Sequence, residues 1–231
     1  KLTQWQVIAI DGKQLRGSHE HEAGKAAIYM VSAWATANQL VLGQRKVDEK
    51  SNEIKAIPEL LKLLDIAGCI VTIDAIGTQT EIVKTIIEGK GDYLLAVKEN
   101  QGNLYEDIQY LFEVDAARGF AQVQTSYAKT VSKGHGRLET RECWAIEDEE
   151  YLTYLRKHGQ WSGLKSIIRL VAKREMGEKV ETQISYFISS LPADAKIILK
   201  AKRSHWKIEN QLHWVLDIAF REDESRVRKD H

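Results

Sequence analysis

A mixed α/β fold is predicted for this chain from three observations. Short apolar runs without alternation, QVIAID (6–11), CIVTID (69–74) and YLLAVK (93–98), have the pattern of strands covered on both faces. Between and after them lie segments with apolar residues at helical spacing. From about 119 to 190 the pattern switches to alternation rich in Thr, Val, Tyr and Ile, which predicts a mostly β stretch.

The first strand is followed by two more, IYMVSAWAT (28–36) and QLVLGQRKV (39–47), joined by a tight turn at Ala37-Asn38. EIKAIPELLKLLD (53–65) predicts a helix, with Pro58 near its start, where a missing N–H matters least. After CIVTID, TEIVKTIIEG (80–89) predicts a helix closed by Gly89. YLLAVK then predicts a buried strand and NLYEDIQYLFEV (103–114) a helix. AQVQTSYAKTV, GRLETRECWAI, SIIRLVAKRE and VETQISYFISSL supply the β-rich stretch, and Asp194 to about Phe220 reads as one long helical region with a break near 204. The order βββαβαβ, a β-rich stretch, then a helix matches an RNase H-like core, a mixed sheet flanked by helices. Its first part spans 1–118, a β-rich insertion 119–192, and a helical region over 193–231 completes it.

With 231 residues the chain can form one large domain with an inserted subdomain. Hydrophobic content of 43% and charged content of 29% are those of a soluble globular protein. No apolar run approaches the roughly 20 residues needed to span a bilayer, and the first residues lack a signal-peptide pattern, so a cytoplasmic location away from membranes is expected. Cys69 and Cys143 are isolated and expected as reduced thiols. The 33 Lys and Arg balance 33 Asp and Glu, which argues against an extended basic surface for DNA. The chain begins at Lys1 without Met and stops at ESRVRKDH, and it reads as a fragment.

Chemistry is concentrated in three acids. Asp11 and Asp74 each end an apolar, β-branched run, while Glu209 lies in the helical stretch RSHWKIENQLHWVLDIAFRED (203–223). At the ends of adjacent parallel strands, the two aspartates would project side by side where α/β sites usually lie. At 100° per residue, Ile208, Leu212, Val215 and Ala219 form an apolar stripe with Leu216 at its edge. Glu209 falls about 80° from the centre of that stripe, able to aim at a strand-end cluster without being entombed. Phosphoryl transfer needs little more than two cations about 3.5–4 Å apart, and a few hard carboxylate oxygens hold Mg²⁺. Asp11, Asp74 and Glu209 are therefore the candidate catalytic and metal-ligating residues. A lone Asp after a strand is usually a turn-former; it is the combination that selects these three.

Other candidates carry weaker signals. His205, Glu209 and His213 lack the HExxH order of zinc proteases. Trp206 and Trp214 read as core or interface anchors rather than base-stacking platforms. Lys98 and Asn100 after a buried strand, Lys133, His135 and Arg137 in the glycine-flanked KGHGR, and His205, Lys207 and Arg226 near the end are candidates for contacts to DNA phosphates. Each loop among them serves equally well as a simple turn.

IAIDGKQLRGS (8–18), TIDAIGTQ, DYLLAVKENQ, KGHGRLETRECW and RSHWKIENQLHWVLDIAFRED together span nearly the whole chain. In these blocks it resembles the catalytic domain of a DDE transposase of the ISAs1 insertion-sequence family and the H-repeat-associated proteins. The resemblance implies that Asp11, Asp74 and Glu209 are the DDE triad of an RNase H-like fold. It implies strand cleavage and transfer dependent on Mg²⁺, in two ions with Mn²⁺ as a substitute, with water and then a DNA 3′-hydroxyl as nucleophiles. The implied partners are transposon ends and target DNA, with a homodimer once assembled on DNA. Where IS4-type relatives carry Tyr, Arg and Lys around the glutamate, this chain has Lys202, His205 and Leu216. A metal-dependent nuclease of the same fold and a non-catalytic DNA-binding or assembly descendant are the alternatives.

Overall fold

The computed structural model describes residues 5–18, 27–47, 52–134 and 136–226. The chain divides into two compact units, one comprising Lys1–Asp92 with Lys202–His231, the other Tyr93–Ala201.

The first unit is built on a mixed sheet in the order β3-β2-β1-β4. Its strands are β1 (Val7–Leu15), β2 (Ile28–Ala35), β3 (Leu40–Val47) and β4 (Ile70–Ile73). β1 pairs antiparallel with β2, β2 with β3, and β1 runs parallel to β4. The helices α1 (Glu53–Leu61) and α2 (Thr80–Glu88) belong to this unit. They bury Ile57, Leu60, Leu61, Ile82, Val83 and Ile86, so each contributes an apolar stripe to the core, as the helical spacing predicted.

β1 differs from expectation in a way that matters. The apolar run stops at Asp11, yet the strand continues to Leu15, because β2 keeps pairing with it down to Leu15 opposite Ile28. Pairing with β4 ends at Ile10 opposite Ile73. Asp11 is thus the first residue of β1 past its parallel neighbour, in mid-strand rather than at a strand end. Lost hydrophobicity marked the end of one partner, not of the strand.

Residues Ala9, Asp11 and Lys13 share one face of β1, and the C-terminal segment runs along them. From Lys202 on it consists of the end of α5 (Ala195–His205), a π-helical turn Ile208–His213 and the short helix α6 (Trp214–Ile218). Ile208 and Leu212 pack on Ala9 of β1 and Trp34 of β2, with Leu216 against them. The predicted break falls at Trp206-Lys207. The wider π turn buries residues four apart, and the stripe expected at 3.6 residues per turn fails at its far end, where Ala219 is exposed. Trp206 and Trp214 are 51% and 59% exposed, so neither is a core anchor.

Further along the same face, the Lys13 ammonium meets Asp217 at 2.7 Å, Asp223 at 3.0 Å and Glu222 at 3.2 Å, its side chain only 10% exposed. Burial alone would lower its pKa, but the three carboxylates outweigh that and raise it. Gly17 lets the C-terminal turn come close, since a Cβ there would lie 2.6 Å from the carbonyl oxygens of Asp223 and Ser225. Lys13→Gln removes the cation shared by Asp217 and Glu222, while Asp223 keeps Arg16 at 3.7 Å; because the carboxylates remain partly wet, the expected loss is about 1–3 kcal/mol rather than the full value for a buried pair. Urea denaturation of the two proteins checks it.

The second unit is an antiparallel sheet in the order β5-β9-β8-β7-β6. Its strands are β5 (Asp92–Val97), β6 (Thr125–Gly134), β7 (Arg137–Ile146), β8 (Ser166–Met176) and β9 (Lys179–Ser189), with helices α3 (Gly102–Ala117) and α4 (Glu149–Gly159). α4 was not expected inside a β-rich stretch. Its start is capped by Asp148, whose carboxylate accepts from the backbone N–H groups of Glu150 and Tyr151 at 3.0 and 3.1 Å, with Glu149 and Glu150 in the first turn. Leu152 and Leu155 are buried. Cys69 in the first unit and Cys143 in the second are free and buried.

Candidate active site

Parallel register sets the site. Ile10 lies opposite Ile73, so the residues that follow, Asp11 and Asp74, leave the paired stretch side by side. Asp74 stands at the N-cap of a short 3₁₀ turn, Ala75–Gly77, and its carboxylate accepts no capping hydrogen bond from that turn. Glu209 follows Ile208 in the π turn, which the Ala9 and Trp34 contacts hold against β1 and β2.

Two histidines flank Glu209 at four residues on either side, and each meets one aspartate. The His205 ring is 3% exposed: Nδ1 lies 3.0 Å from the Thr72 hydroxyl of β4 and Nε2 3.6 Å from Asp74 Oδ1. His213 Nδ1 lies 3.4 Å from Asp11 Oδ2. Burial and the nearby Lys13 charge push the His213 pKa down to about 4, so at neutral pH the ring is uncharged and the contact is not an ion pair. His205, expected as a phosphate contact, is instead turned inward onto Thr72 and Asp74, and its burial removes it from the surface.

Asp11 feels the whole cluster. Its pKa rises from 3.8 to about 7, first because it is buried and then because Asp74, Glu209 and Glu53 crowd it with like charge; the Gly12 N–H donating to its Oδ1 at 2.9 Å opposes this. Sequence reasoning missed Glu53. It is 4% exposed, in the first turn of α1, and lines one cleft with Asp11 and Asp74, walled by Ile10, Ile57 and Ile73. The available signal was the glycine beside Asp11. A Cβ on Gly12 would fall 2.0 Å from Glu53 Oε1 and 2.5 Å from the Tyr29 ring. Among the described residues, no three His, Cys, Asp or Glu side chains converge as a ready-made metal cage.

The remaining candidates are dispersed. Lys207 and Arg226 are exposed residues of the first unit, while Lys98, Asn100, Lys133 and Arg137 are exposed residues of the second. Lys98 and Asn100 stand at the 3₁₀ turn Glu99–Gln101. Gly134 pairs with Arg137 to close the β6-β7 hairpin, and Arg137 Nε meets Glu139 at 2.9 Å. His135 lies outside the described residues.

Asp11 and Asp74 thus follow paired residues of two neighbouring parallel strands, and Glu209 sits on a helical turn packed on β1 and β2. Residues 3–231 match the Transposase DDE domain family, and the chain belongs to it. It is 43% identical over 232 residues to a protein of Escherichia coli O157:H7 named "Putative transposase YncI", covering 99% of this chain and 58% of that protein. It is 41% identical over 230 residues to "H repeat-associated putative transposase YhhI" of Escherichia coli (strain K12), covering 96% of this chain and 59% of that one. The chain thus spans a little under three fifths of the length of these relatives. Among the described residues no helix is long and apolar enough to cross a membrane.

Proposed function

We propose that this chain is the catalytic domain of a DDE transposase, of the ISAs1 type, in which Asp11, Asp74 and Glu209 hold two Mg²⁺ ions and direct cleavage and transfer of DNA strands. The observation that carries this reading is the burial of Asp11 beside Asp74, Glu209 and Glu53, burial first and like charge second lifting its pKa to about 7, in a chain of this family. Buried like charges are unfavourable alone and suited to a divalent cation, which reverses the local electrostatics. The donors are hard carboxylate oxygens, which Mg²⁺ and Mn²⁺ prefer.

Bound there, the two ions would supply activation of the attacking oxygen and neutralisation of charge at the leaving one. The chain's residues do the positioning. β1 and β4 fix the aspartates in register, and Ile208 and Leu212 hold the turn carrying Glu209. Thr72 restrains His205 beside Asp74. Neutral His213 keeps positive charge away from Asp11. In this reading 1–118 and 193–231 form an RNase H-like core and the β-rich stretch 119–192 is an insertion before the catalytic helix. Lys98, Asn100, Lys133, Arg137, Lys207 and Arg226 are available for DNA phosphates, and the working assembly is a dimer on paired transposon ends in the cytoplasm.

Supercoiled plasmid incubated with the chain tests the reading. Nicking in Mg²⁺ or Mn²⁺ that stops with EDTA is expected. A chain that binds DNA and cations yet leaves the plasmid intact would rule out strand cleavage by this domain.

A further inference from the structure

Glu53 is a buried carboxylate that the triad does not use. Acids in the first turn of a helix are ordinarily exposed, where they complement the helix dipole; a carboxylate 4% exposed is costly to bury unless something requires it. Two features of the surroundings indicate the requirement. Gly12 follows Asp11, and its missing side chain leaves the space that Glu53 Oε1 fills, 2.0 Å from where a Cβ would stand. Asp11 and Gly12 face opposite sides of the sheet. Glu53 therefore reaches the site from the face opposite Ala9, on which the Glu209 turn packs. The Tyr29 hydroxyl, 3.3 Å from the Gly12 carbonyl oxygen, also hydrogen-bonds Glu53; burial and then this carboxylate raise the tyrosine's pKa. Tyr29 thereby fixes the direction of the acid. Glu53 shares its cleft with Asp11 and Asp74.

We propose that Glu53 is a fourth carboxylate ligand of the divalent-cation site, joining Asp11, Asp74 and Glu209 from the other face of the sheet. This rests on the triad reading above. The four acids do not converge as a cage in this structure, so side-chain rotation about a bound cation would have to draw them together at the end of the parallel pair, and Gly12 leaves the space through which Glu53 approaches.

The test is calorimetric titration of the whole chain with Mn²⁺, alongside thermal denaturation in EDTA, for wild type, Glu53→Gln, Tyr29→Phe and Asp74→Asn. Glu53→Gln keeps shape and an acceptor for Tyr29 while removing charge. It is expected to weaken Mn²⁺ binding about tenfold to a hundredfold, with a melting temperature in EDTA equal to or above wild type. Tyr29→Phe removes the hydroxyl alone and is expected to change affinity less. If Glu53→Gln binds Mn²⁺ like wild type while Asp74→Asn does not, the fourth-ligand role is wrong and the triad stands. A melting temperature that falls in EDTA with Mn²⁺ affinity retained makes Glu53 a structural partner of Tyr29 and overturns the proposal. Wild type that binds no Mn²⁺, or Asp74→Asn that binds normally, overturns the triad and this inference together.

Discussion

Asp74→Asn is expected to lower the rate of plasmid nicking by about a thousandfold or more while leaving the fold intact. Loss of a carboxylate that holds catalytic cations removes several kcal/mol of transition-state stabilisation, and ~4 kcal/mol corresponds to roughly three orders of magnitude in rate. The fold should tolerate the change for structural reasons. The side chain of Asp74 is 50% exposed and makes no capping bond to the turn it precedes, and Asn has the same shape. His205 loses a charged neighbour but keeps its contact with Thr72. Circular dichroism and nonspecific DNA binding should match wild type, so that a fall in nicking reports chemistry. Nicking at the wild-type rate would exclude Asp74 from the site.

The second large effect runs in the opposite direction. In metal-free protein at pH 8, Asp11→Asn is expected to be more stable than wild type. The native pKa of Asp11, about 7, lies above its ordinary value of 3.8. Between those values the folded state binds more protons than the unfolded state, so stability declines as pH rises from about 4 to about 7 and stays low above that. About three pH units at ~1.4 kcal/mol each set an upper limit near 4 kcal/mol. Relaxation of the cleft reduces this, and a gain of about 2 kcal/mol corresponds to roughly 4–8 °C in melting temperature. The Asn side-chain oxygen can still accept from the Gly12 N–H. Melting curves in EDTA at pH 4 and pH 8 check the sign: the variant should gain at pH 8 and not at pH 4. Adding Mg²⁺ should stabilise wild type and not the variant.

Much of this arrangement was legible because it is local. The blocks VIAID and IVTID are apolar enough to mark β1 and β4 as neighbours in a covered sheet, and parallel pairing then places Asp11 beside Asp74 without further information. What escaped depends on partners distant in sequence. The extension of β1 to Leu15 is imposed by β2, and nothing in GKQL is strongly β-forming. α4 was averaged into its β-rich surroundings although Asp148 and the acids after it are a start signal. The π turn changes the angular step, so a wheel drawn at 100° per residue misplaced Ala219. Glu53 resembled an ordinary first-turn acid; only the packing of α1 against Gly12 shows that it is buried. The inward turn of His205 likewise depends on Thr72, 133 residues away.

The central claim, that divalent cations are held by Asp11, Asp74 and Glu209, is tested most directly by replacing Mg²⁺ with Fe²⁺ and mapping backbone cleavage by locally generated hydroxyl radicals. Cuts clustered near residues 11, 74 and 209, suppressed by excess Mg²⁺ and absent in Asp11→Asn, are the predicted result. Cuts that cluster elsewhere, or that persist unchanged in Asp11→Asn, would contradict it.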